Sequence, residues 1–171
     1  MKRARTTSRG LTPLELAIAI SVLGCALAAT VPACIRAMHA ARTAEAVDDV
    51  EQILRGSIQR RNDDPKTALL PAPLTPAAVP RGEPTWDAEG TWEHPTWKAI
   101  HFSIDTPHWY AYQLDVDPDP TTSLRAIAHG DLDGDGVLST FERDAIVDPS
   151  APVGATTIVA KPGLIVTNDL E

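Results

Sequence analysis

The sequence predicts an α+β fold, a long N-terminal helix packed on a small antiparallel β-sheet. Three observations predict it. Residues 11–62 run apolar and then amphipathic, with no terminating signal until the end. Residues 63–98 are rich in proline and tryptophan and favour neither a long helix nor a central strand. Residues 99–171 change to short alternating runs separated by turn residues, the pattern of strands with short antiparallel connections.

The helix comes first. Residues 11–35, LTPLELAIAISVLGCALAATVPACI, carry a single charge, Glu15. As a helix they span roughly 37 Å, enough to cross a hydrocarbon layer of about 30 Å. Residues 36–62 become amphipathic. Ile35, Met38, Val47, Val50, Leu54 and Ile58 fall on one face at helical spacing, and Arg36, His39, Arg42, Glu45, Asp48, Glu51 and Arg55 take the other. Neither Gly nor Pro interrupts residues 33–55, so one helix is expected from about Thr12 to Gln59. Asn62-Asp63-Asp64-Pro65 ends it, because the residue before a proline disfavours the α region.

The stretch 63–98 is expected to be a long loop whose second half packs through Trp86, Trp92 and Trp97. Strands are expected over Ala99–Ile104, Trp109–Val116 and Leu124–His129, then around Leu138–Val147 and around Thr156–Val159 or Leu164–Thr167. Thr106-Pro107-His108 and Asp117-Pro118-Asp119-Pro120 punctuate them. The expected sheet has four or five strands. Trp97, Phe102, Trp109, Tyr110 and Tyr112 are read as its packing residues.

Charge is unevenly placed along the 171 residues. Lys2, Arg3, Arg5 and Arg9 precede the apolar run with no acid among them, and the rest of the chain carries a formal charge of −12. A basic head before an apolar segment marks an N-terminus inserted in a membrane with its positive end in the cytoplasm. The acidic body argues against nucleic acid as a partner. Cys25 and Cys34 would lie roughly 13 Å apart on one helix, beyond the reach of about 7 Å that a disulfide needs. No nucleophile elbow, phosphate loop or zinc-protease motif is present, and no enzymatic activity is expected.

Residues 1–35 admit three leader readings. Ala26-Leu27-Ala28 offers a secretory cleavage site, and Val22-Leu23-Gly24-Cys25 loosely matches a lipoprotein signal cut before Cys25. Neither requires Glu15, a carboxylate that costs about 2.5–3.5 kcal/mol inside an apolar span. Both also leave apolar chain running past the cut, through Ala29, Val31, Ala33 and Ile35. The third reading uses all of these features. Arg9-Gly10-Leu11-Thr12-Pro13-Leu14-Glu15-Leu16 resembles the prepilin cleavage signature of the type IV pilin-like family, with the glutamate five residues after the glycine.

The resemblance implies residues 1–10 as a leader, with cleavage after Gly10 by a prepilin peptidase that also methylates the new terminus at Leu11, where the family usually has Phe. It implies residues 11–35 as the membrane and assembly half of the helix, with Pro32 where family helices commonly carry proline. Glu15 would pair with the terminal amine of a neighbouring subunit and fix register, since a buried ion pair is costly to break. The implied function is a structural subunit of a type IV pilus-like filament, or alternatively a pseudopilin of a type II secretion system. The precursor would be a single-pass inner-membrane protein with a periplasmic body. A calcium-binding surface lipoprotein lipidated at Cys25 is the reading from a different class.

One further motif stands apart. Residues 131–142, DLDGDGVLSTFE, match the twelve-residue calcium loop. Asp131, Asp133 and Asp135 supply carboxylates, Val137 a carbonyl, Ser139 a ligand or bridging water, and Glu142 a closing carboxylate. Gly136 permits the sharp turn, and Leu138 is the apolar residue beside it. Oxygen donors with this much negative charge suit Ca²⁺ better than Zn²⁺. The loop is expected to join two strands, where the ion would be structural. His94, His101 and His108, spaced by seven, are not expected to share a metal, because nothing forces them onto a common face.

Overall fold

The computed structural model describes residues 10–64, 69–117, 124–152 and 157–168. Leader residues 1–9, Pro65, the prolines of the 117–120 turn and Thr156 lie outside the described residues. The architecture is α+β, one long helix followed by a small antiparallel sheet. The chain divides into two compact units, residues 1–40 and 41–171, and α1 (Pro13–Asp63) contributes to both.

In the first unit the helix starts on a capping box. The Thr12 amide and hydroxyl both donate to Glu15 Oε2, at 2.8 and 2.9 Å, and Thr12 Oγ1 accepts from the Glu15 amide at 3.3 Å. Pro13 takes the first helical position, where its missing N–H costs no bond. The helix continues through Pro32. Every residue from Gly10 to Met38 is exposed. Ile35 and Met38 are thus corrections to the expected buried stripe. The hydroxyls of Ser21 and Thr30 donate to the carbonyls of Ala17 and Ala26, both at 2.9 Å, which satisfies them within the helix. This segment is long and apolar enough to cross a membrane.

In the second unit α1 buries Ala46, Val50, Ile53, Leu54 and Ser57, with Val47 and Ile58 partly buried beside them. Its polar residues do not all face solvent. Glu45 accepts from the Trp109 amide at 2.7 Å, Asp49 accepts from the Tyr112 hydroxyl at 2.7 Å, and the Arg42 guanidinium lies 3.7 Å over the Trp109 ring. Sequence spacing had put Arg42 and Glu45 on the outer face. The sheet turns them inward by offering an amide and an aromatic face as partners.

The sheet has six strands: β1 (Ala72–Thr75), β2 (Tyr110–Val116), β3 (Leu124–Gly130), β4 (Ser139–Val147), β5 (Ile158–Ala160) and β6 (Ile165–Thr167). They run β1-β2-β3-β4-β5, with β6 pairing the first half of β4 and β5 the second. Both of the alternative last strands therefore form. Alternation sends Tyr110, Tyr112 and Leu114 of β2, Leu124, Ala126 and Ala128 of β3, and Phe141 and Ala145 of β4 into one core. Gly130 stands opposite Tyr110, and a Cβ there would lie 2.5 Å from the tyrosine ring, so the position tolerates only glycine without a shift.

Three expectations change in residues 63–104. The proline-rich stretch contributes β1, placed at the sheet edge, where proline's missing donor is tolerated. The strand expected over Ala99–Ile104 does not form. Instead α2 (Pro95–Ala99) is capped by His94, whose Nδ1 accepts from the Thr96 amide at 3.3 Å. Proline at the first helical position favours this turn over an extended start. Of the tryptophans, Trp97 is fully buried and Trp92 partly so, while Trp86 is 69% exposed.

Candidate functional site

Two places carry the sequence-derived candidates. The first is the start of α1. Gly10 and Leu11 precede the helix and are exposed, and Leu11 is 72% accessible. Glu15 lies one turn in, among Leu14, Leu16 and Ile18, all at least half exposed. Its carboxylate is not unpaired within one chain, because it is held by Thr12. The sequence carried this signal as Thr12-x-x-Glu15, the capping-box spacing. Pro32 lies inside the same exposed helix, and Cys25 and Cys34 are free and exposed.

The second is the acidic loop between β3 and β4. The turn is built by the aspartates themselves. Asp131, buried, accepts from the amides of Gly134 at 2.8 Å and Gly136 at 3.1 Å. Asp133 accepts from the Asp135 amide at 3.1 Å, and Asp135 from the Val137 amide at 2.7 Å. Gly134 and Gly136 take φ of +82° and +93°, which a side chain would oppose. The result is that oxygens of Asp131, Asp133 and Asp135 lie within 4.8 Å of one another. Three carboxylates this close repel one another unless a cation compensates, and the triad could hold a metal ion.

The other expected ligands are placed differently. Ser139 is buried, and its hydroxyl donates to the Gly130 carbonyl at 3.1 Å. Glu142 lies opposite Ile127 in the sheet, 3.4 Å from the Arg125 guanidinium, and is not in the carboxylate cluster. The physical reason is the strand that follows the loop. A helix would return the twelfth residue toward the first, whereas β4 begins at Ser139 and carries residue 142 away along the sheet. Val137 is 43% exposed beside the turn.

A contact absent from the sequence reading completes the loop. Arg81 and Asp131 form a parallel bridge in which the Gly82 amide donates to the Asp131 carbonyl at 2.7 Å. Arg81 Nε lies 3.6 Å from Asp131 Oδ2. Gly82, at φ +65°, packs on Gly134. The proline-rich segment thus lays a cation beside the acidic turn, fifty residues away in sequence, and no local pattern announces it.

Several titratable groups elsewhere in the body have structural partners. Burial raises the pKa of both Glu45 and Asp49 from their ordinary values, opposed by the hydrogen bonds from Trp109 and Tyr112. Burial lowers His129, whose Nδ1 lies 3.0 Å from Thr140 Oγ1. His94, His101 and His108 do not converge: His94 caps α2, His101 is exposed, and His108 is buried beside Asp87. Compared with known proteins, the chain matches no family model, no curated protein and no solved structure.

Proposed function

We propose that this chain is a type IV pilin-like subunit, made as a membrane-anchored precursor, cut after Gly10 and polymerised through the first half of α1. The observation that carries the reading is an exposed apolar helix with a single carboxylate, Glu15, placed five residues after Gly10. Exposed Leu14, Ile18, Ile20, Val22 and Leu23 need lipid or neighbouring helices around them. Cleavage gives Leu11 a cationic amine, and the Glu15 carboxylate of an adjacent subunit supplies its counter-charge on leaving Thr12. The partners are other subunits of the same kind and a prepilin peptidase. The precursor sits in the inner membrane with a periplasmic body. The role is structural rather than catalytic. A calcium ion held by Asp131, Asp133 and Asp135 would tie the loop that joins β3 and β4. A type II secretion pseudopilin shares these features and is the second reading.

The intact mass and N-terminal sequence of protein purified from its native membrane test the processing step. Leu11 at the terminus with one added methyl is the expected result. A lipid-modified Cys25 at the terminus would replace the filament reading with a lipoprotein. Assembly is tested separately with Glu15→Gln, which keeps the capping box but removes the charge. Cleavage is expected to persist and filaments to be lost. Normal filaments from Glu15→Gln would reject the charge-pair account of register.

A further inference from the structure

Among the described buried groups, His108 has an oxygen partner at each ring nitrogen. The ring is 1% exposed. Nδ1 lies 2.6 Å from the Tyr110 carbonyl oxygen, and Nε2 lies 3.0 Å from Asp87 Oδ2. A carbonyl oxygen and an ionised carboxylate can only accept. With Asp87 ionised, both ring nitrogens donate, which is the imidazolium form. The same Asp87 oxygen also accepts from the Trp92 indole N–H at 2.7 Å. Trp92 and His108 thus converge on one carboxylate oxygen.

The partners come from a single segment. Thr85 exchanges two backbone hydrogen bonds with His108, at 2.9 and 3.1 Å. Asp87 and Trp92 follow within seven residues, and the Trp92 ring packs edge-on against Trp97 and Phe102. Residues 85–92 thus form a strap across the start of β2, anchored at His108. The strap also carries Trp86, the most exposed tryptophan of the body.

We infer that His108 is a proton-dependent latch: its imidazolium form holds the 85–92 strap on the sheet, and loss of one ring proton releases it. The charged groups facing the ring are Asp87 from the strap and Glu45 and Asp49 from α1, with the Tyr112 ring of β2 tilted by 47° at 6.5 Å. The Arg42 guanidinium stacks on the ring of Trp109, next in sequence. A neutral ring would turn a bare lone pair toward either Tyr110 O or Asp87, a buried acceptor facing an acceptor. Docking is therefore complete while the ring holds both protons and is lost as the pH rises and one leaves. The strap is the element that yields, because it is anchored through a bridge and side chains while β2 is held along its length by β3. The device sets where Trp86 is presented on the surface.

The test uses the full chain in detergent micelles with ¹⁵N-labelled histidine and tryptophan, followed by NMR from about pH 5 to about pH 9, a range that spans ordinary histidine ionisation. Both His108 nitrogens are expected to be protonated at the acid end. The Trp92 indole resonance is expected to shift or vanish in step with loss of a His108 proton. A bare Nε2 at the acid end would place the proton on Asp87 and overturn the latch. So would a Trp92 resonance that stays fixed while His108 changes. Asp87→Asn, which can turn its amide N–H toward a neutral ring, is expected to abolish the coupling between the two signals. Persistence of the coupling in that variant would also overturn the proposal. His108→Gln keeps a donor for only one acceptor, and its Trp92 resonance is expected to be undocked at every pH. A docked resonance there would show that the ring is not the latch.

Discussion

Replacing Trp97 with alanine is expected to destabilise the body by about 3–5 kcal/mol, the cost of deleting a large buried aromatic side chain. Trp97 is 0% exposed and lies at the junction of three elements. It sits in α2, its ring centroid is 5.6 Å from both Trp92 and Phe102, and its indole N–H donates to Thr75 Oγ1 of β1 at 3.0 Å. The substitution therefore opens a cavity, removes two aromatic contacts and leaves the buried Thr75 hydroxyl without its donor. Domains of this size have about 5–15 kcal/mol of total stability, so the variant would be marginal or unfolded. Urea denaturation followed by far-UV circular dichroism would read the loss. Trp97→Phe should retain much of the packing and lose mainly the bond to Thr75, about 1 kcal/mol. A Trp97→Ala midpoint within error of wild type would mean that α2 does not anchor β1 to the core.

Calcium is expected to raise the melting temperature of the purified chain. At a concentration about 100 times the dissociation constant the gain is about 2.7 kcal/mol. For a body of this size that is on the order of 10 °C. The informative variant is Asp133→Asn with Asp135→Asn, because both side chains are exposed and neither holds the turn as Asp131 does. It should fold like wild type without calcium and show no calcium-dependent rise. Separating the roles of Glu142 requires Glu142→Gln. Its carboxylate is engaged by Arg125, so the calcium response should survive with small change. Loss of the response in Glu142→Gln would mean that Glu142 leaves Arg125 to close the site. Absence of any rise in wild type at millimolar calcium would reduce the loop to an acidic turn neutralised by Arg81.

The sequence by itself determined the elements whose signals are local. The start of the helix followed from Thr12 and Pro13, and Asn62-Asp63-Asp64-Pro65 marked its stop; the helix runs to Asp63, past the expected end near Gln59. Alternation located β2, β3 and β4 to within a residue or two, because a strand with one buried face writes its period into the chain. The Asp131–Gly136 turn was legible for the same reason: its hydrogen bonds are made within six residues.

Tertiary structure alone decided what depends on partners distant in sequence. Periodicity gave α1 a charged outer face, yet Glu45 and Arg42 turn inward to the Trp109 amide and the Trp109 ring more than sixty residues on. The Asn62 amide was legible as a stop signal, but not as the group that pairs with both backbone atoms of Ile158. Ile35 and Met38 fit the apolar stripe and remain exposed, because spacing records which residues share a face and not where the body begins to cover it. The closing Glu142 was read from a motif built for a helix, and the strand that follows the loop carried it to Arg125. The strap over His108 and the Arg81 contact with Asp131 leave no local trace, since each joins a proline-rich segment to residues more than twenty positions away. Local hydrogen bonding and burial period are properties of a short stretch of chain, whereas ion pairs and aromatic contacts across elements are fixed only when the fold brings their partners within reach.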